Sequence, residues 1–137
     1  MRFAKWVFLL AGISGIVVVA PLYFLEEQVG RDYPPPINHP EFFYGFAGVT
    51  LAWQFMFLVI AYDPVRFRLA MLPAVLEKAG FVVAICVLYA MGRVHPMWLG
   101  AASMDGALWV MFIVAYLKTP KEAATGTNRN PKSKGQS

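Results

Sequence analysis

The chain has one cysteine, Cys86, and so no partner for an intrachain disulfide; cysteine usage therefore reports nothing about redox compartment. It also lacks a glycine-rich phosphate cradle, a serine or cysteine nucleophile with a matching base, and a paired-thiol motif, so no recognised catalytic motif assigns a reaction. Histidine is scarce. His39 and His95 each precede a proline, a setting for an interfacial residue rather than an axial haem ligand. Together with Glu41 they offer three metal donors without the tight spacing of a zinc site, and neither metal nor cofactor is assigned. A separate soluble catalytic domain has no room in 137 residues. The net charge of +4 does not point to nucleic acid, because the basic residues sit at the ends of apolar runs and in the tail rather than on a soluble face.

What the chain does have is apolar length. Its hydrophobic fraction is 58% and its mean hydropathy +0.53, against roughly 45–50% apolar residues in soluble domains. The apolar residues fall into four stretches, 6–25, 42–62, 69–92 and 97–117, each near the ~20 residues a helix needs to cross a bilayer core. Lipid offers the backbone no hydrogen-bond partners, so each stretch is expected to be a helix. The predicted architecture is all-α, a four-helix transmembrane bundle over residues 1–117, followed by a disordered basic tail at 118–137. In the first stretch Val18-Val19-Ala20 imitates a signal-peptidase site, but Pro21 follows and the apolar run continues to Leu25, so an uncleaved helix is expected. Ala11 and Gly15 leave a groove on it for a close neighbour. The second stretch carries no charge. Glu77-Lys78 interrupts the third, which takes Pro73 in its first turn, and Asp105 interrupts the fourth.

Basic residues set the expected topology. Arg2, Lys5, Arg66, Arg68, Lys118, Lys121, Arg129, Lys132 and Lys134 fall on one side and only Arg31 and Arg93 on the other, which places both termini in the cytoplasm. The opposite side then carries the acidic, proline-rich connection 26–41. The halves also resemble each other. His39-Pro40 and His95-Pro96 precede the second and fourth spans, which close on Met56-Phe57-Leu58-Val59-Ile60-Ala61-Tyr62 and Met111-Phe112-Ile113-Val114-Ala115-Tyr116. The reading is two pseudo-repeated hairpins about an axis along the membrane normal, with a site between the second and fourth helices.

Among the polar residues lodged in the spans, Asp105 leads. At ~1.5 Å per residue it lies roughly 12 Å below the edge of the core, where an ionised carboxylate costs several kcal/mol. It is expected to face the bundle, with Trp109 on or near the same helical face. Gln54 and Thr50 descend from the same side and are its expected partners, either in a hydrogen-bonded cluster that glues the helices together or in a ligand-binding or proton site that also takes in Glu77. Ser14 and Ser103 either join that network or bond back to their own helices. Lys78 is expected to snorkel outward, and Glu77 to pair with Arg66 or Arg68 or to sit favourably near its helix N-terminus.

Tyr62-Asp63-Pro64-Val65-Arg66-Phe67-Arg68, Leu72-Pro73-Ala74-Val75-Leu76-Glu77-Lys78, the run His39 to Phe46 and Asp105 resemble small four-helix bacterial inner-membrane proteins, similar in size and layout to DoxX-like proteins. The resemblance covers most of the chain except the tail and implies an inner-membrane, multi-pass protein, with a hint of quinone-linked redox partners that no matching functional residue supports. The favoured functional expectation is a non-enzymatic module binding a partner subunit or an apolar ligand, lipid or quinone, near Asp105, Trp109 and Gln54. The alternatives are an oligomeric transporter or proton-coupled component using Asp105, and a membrane enzyme on a lipidic substrate with Asp105 or Glu77 as acid or base.

Overall fold

A computed structural model describes residues 2–123, so Arg129, Lys132, Lys134 and most of the expected disordered tail lie outside the described residues. Those residues are helical with no strand: α1 (Arg2–Val19), α2 (Glu26–Asp32), α3 (Pro40–Tyr62), α4 (Met71–Ala90) and α5 (Trp98–Lys118). Four of the helices, counting short 3-10 extensions, are long and apolar enough to span a membrane. The chain is thus an all-helical, multi-pass membrane protein by the length and composition of its helices.

Local chemistry explains the boundaries. Pro21 cannot donate to the helical ladder, and after Val19 the chain tightens into a 3-10 turn over Ala20–Phe24. Pro40 occupies the first turn of α3, where a missing amide costs little. Pro73, the third residue of α4, also falls in its first turn. That helix ends short of the expected residue 92 because Gly92 adopts φ +68°, and the Arg93 amide then bonds the Leu88 carbonyl at 2.9 Å, closing the exposed carbonyl end. The connection after α1 holds an element that the sequence reading did not anticipate. In α2, Glu26 and Glu27 sit in the first turn and Arg31 in the last, a charge order that suits the helix dipole. Glu26 accepts a 2.7 Å hydrogen bond from the Tyr44 hydroxyl, which holds α2 to the start of α3.

The antiparallel spans put Arg2 and Lys118 on one face, called here the near face. Arg68 donates from Nε to the Thr119 carbonyl at 2.8 Å and lies 3.9 Å from the centroid of the Tyr116 ring. Lys118 Nζ sits 5.1 Å from the Phe3 ring centre. These contacts gather the start of α1, the approach to α4 and the end of α5 on that face.

Packing is closest within the two hairpins, α1 with α3 and α4 with α5; α1 also lies along α5, while α3 touches α4 only briefly. The groove expected at Ala11 and Gly15 is present, and Gly12 extends it onto backbone: a Cβ on Gly12 would stand 2.9 Å from the Gln54 carbonyl oxygen and 2.7 Å from Leu58. In the near half, Phe8, Phe57 and Phe112 fill the centre without exposure, Phe8 stacked 4.2 Å from Phe112 and Phe57 edge-on to it at 5.0 Å. Phe57 and Phe112 are the matched phenylalanines of the two halves, and their rings meet between α3 and α5. The outer surfaces are apolar instead. Leu10, Val17, Val49, Leu76, Val87 and Val110 are all exposed, an arrangement that suits lipid and would be costly in water.

Candidate functional site

Above the phenylalanine core, in the half away from the near face, the helices leave a cavity of about 220 Å³. Its wall is mostly apolar and draws on all four long helices. Val18 and Val19 come from α1, Phe46 from α3, Phe81 from α4, and Trp98 and Met104 from α5. Phe46 and Phe81 stack with centres 6.4 Å apart and bridge α3 to α4. Val18 and Met104 are 58% and 59% exposed, so the cavity is open along α1 and α5.

At its inner end lie three ionisable groups. Lys78 Nζ is 3.1 Å from Asp105 Oδ1 and 3.3 Å from Oδ2, and 3.4 Å from Glu77 Oε2. The lysine side chain is only 6% exposed, with the Phe57 ring centre 5.4 Å from its ammonium. At ~1.5 Å per residue, Lys78 stands about 10 Å along α4 from Met71, and Asp105 about 10 Å along α5 from Trp98. The two enter from opposite faces, and the long lysine stem closes the remaining gap. In a medium of low dielectric the opposite charges attract strongly, and that attraction offsets the cost of removing them from water.

This geometry corrects the expected partnerships. Lys78 does not snorkel to the surface; it turns inward, because two carboxylates inside the bundle offer a better environment than the apolar stretch between them and the near face. Glu77 pairs with neither Arg66 nor Arg68 but flanks Lys78, so two sequence neighbours meet although their Cβ atoms diverge: the lysine is long enough to curl back. The Glu77 Oε2 is buried and, beyond its ion-pair contact with Lys78, has no hydrogen-bond partner.

Gln54 and Thr50 line the same cavity as Asp105 and Glu77, but neither is hydrogen-bonded to Asp105. Gln54 Nε2 instead donates to the Thr50 carbonyl at 3.0 Å, one turn back on its own helix, and its amide lies where a side chain on Gly15 would be. Trp109 stands apart. It does not line the cavity, and its indole Nε1 is buried without an acceptor. Both serines bond back to their own helices, Ser14 to the Ala11 carbonyl at 3.2 Å and Ser103 to that of Leu99 at 2.7 Å.

Lys78 as the counter-ion of Asp105 was the residue missed. A signal for it was present: an acid inside a membrane calls for a base at comparable depth, and the short connection between the third and fourth stretches makes those helices adjacent. On the far face His39 Nδ1 lies 3.0 Å from Glu41, while His95 accepts from the Met97 amide and faces Tyr33 at 5.9 Å between ring centres. Among the described residues, no three His, Cys, Asp or Glu side chains converge as a metal site would require. Comparison of the chain with family models, with curated proteins and with solved structures gives no match in any of the three.

Proposed function

We propose that this protein is a membrane module of the bacterial inner membrane that binds an apolar ligand with a polar head, of the lipid or quinone kind, in the cavity between its four long helices. The observation that carries the reading is the joining of an apolar chamber, open along two helices, to a cluster of ionisable groups at its inner end. Ligand sites share that character, with predominantly hydrophobic walls and a few polar groups that fix orientation. Ion pairing alone explains why Lys78 and Asp105 face each other. It does not explain the open space beside them, since packed bundles fill such space with side chains.

Native mass spectrometry of gently extracted protein tests the proposal. The wild-type chain is expected to carry a bound lipid or quinone as a discrete added mass. Ala101 lines the cavity without touching the core, and Ala101→Phe fills the chamber, so the added mass should fall to a minor fraction while the protein stays folded. A wild-type protein free of ligand, or an adduct unaffected by the substitution, would overturn the reading.

A further inference from the structure

Resting on that ligand-binding reading, we infer that the cavity selects a lipophilic amine, an apolar body whose protonated amino head docks at Glu77. Hydrogen-bond accounting around the inner end leads there. Lys78 directs its ammonium to both oxygens of Asp105 and toward Glu77, which leaves it little to offer a ligand. One N–H of the Gln54 amide donates to the Thr50 carbonyl and the Ser14 hydroxyl donates to the Ala11 carbonyl, which leaves the second, uncharged Gln54 N–H as a donor. Acceptors remain. Glu77 Oε2 is buried with only the 3.4 Å ion-pair contact to Lys78 and no hydrogen bond, and a carboxylate can accept about four.

Charge points the same way. The cluster brings two carboxylates against one ammonium, and no other lysine or arginine of the described residues lines the cavity. An ionised cluster therefore holds an excess negative charge in a medium where charge is weakly screened, which favours a cation and repels phosphate or carboxylate heads. An oxidised quinone presents only acceptors and leaves Glu77 unsatisfied. A protonated amine supplies N–H donors and positive charge together. The aromatic walls at Phe46, Phe81 and Trp98 add faces that attract an organic cation.

A thermal-shift titration of detergent-solubilised protein with dodecylamine, dodecanol and dodecanoate holds the apolar body constant while the head changes, and Ala101→Phe corrects for nonspecific partition. Dodecylamine is expected to bind at least tenfold more tightly than dodecanol, and dodecanoate weakest. Glu77→Gln, nearly equal in size, should bring the amine down to the level of the alcohol measured on the same variant. Equal binding of all three heads, preference for dodecanoate, or an amine preference that survives Glu77→Gln would overturn the inference and leave the ligand-binding reading intact. Failure of all three to bind above the Ala101→Phe baseline would remove both.

Discussion

At the scale of single residues, Lys78 decides the character of the site. Alone in lipid, Asp105 and Glu77 would each carry a desolvation cost of several kcal/mol; with an ammonium between them, the three form one cluster with shared compensation. Such a pair is poor evidence of net stability, because well-packed apolar residues often do as well, but breaking it from one side leaves a stranded charge. Lys78→Met is therefore expected to destabilise the bundle by about 3–5 kcal/mol. Adding Asp105→Leu should recover a large part of that loss, since the second change removes the stranded carboxylate. Reversible unfolding of the single and double variants in mixed micelles measures both. A double variant no better than Lys78→Met would show that the two side chains do not act as a pair.

At the scale of elements, the α1/α3 contact depends on glycine for space rather than for backbone freedom. Gly→Ala in the middle of a helix ordinarily gains about 1 kcal/mol from propensity. At Gly12 the new methyl would meet backbone, the Gln54 carbonyl oxygen at 2.9 Å, and the helices would have to part. Overpacking of that kind costs about 1–3 kcal/mol, which exceeds the gain, so Gly12→Ala is expected to lower the thermal midpoint in detergent. Gly80, with open space where a side chain would go, is the control: Gly80→Ala should hold or raise the midpoint. The same sign at both positions would mean that close approach at Gly12 is not what holds α1 to α3.

At the scale of the molecule, the near face carries Arg2, Lys5, Arg66, Arg68, Lys118 and Lys121 beside Asp63 and Glu122 among the described residues, whereas the far face carries Glu26, Glu27, Asp32 and Glu41 beside Arg31 and Arg93. By the positive-inside rule the near face is predicted to be the cytoplasmic one. In a Cys86→Ser background, a cysteine at exposed Gln28 is expected to react with a membrane-impermeant maleimide on intact spheroplasts, and one at exposed Arg66 only after permeabilisation. The reverse pattern would invert the orientation while leaving the bundle as it is.

The sequence by itself determined the four spans, their antiparallel order and the presence of charge within them, because hydropathy and length are local properties that lipid reads one segment at a time. Pro40 and Pro73 marked helix starts for the same reason. The small residues of α1 were legible as a groove, though Gly12, the one that faces the backbone of α3, was not. Partnership was decided by the tertiary structure. Asp105 is bonded to Lys78 rather than to Gln54 because helix rotation and the reach of a lysine stem select among several polar groups at similar depth, and rotation follows from how Phe8, Phe57, Phe112 and the glycines interlock. The cavity belongs to that same level: it is the space those packed surfaces fail to fill, and no single segment encodes it.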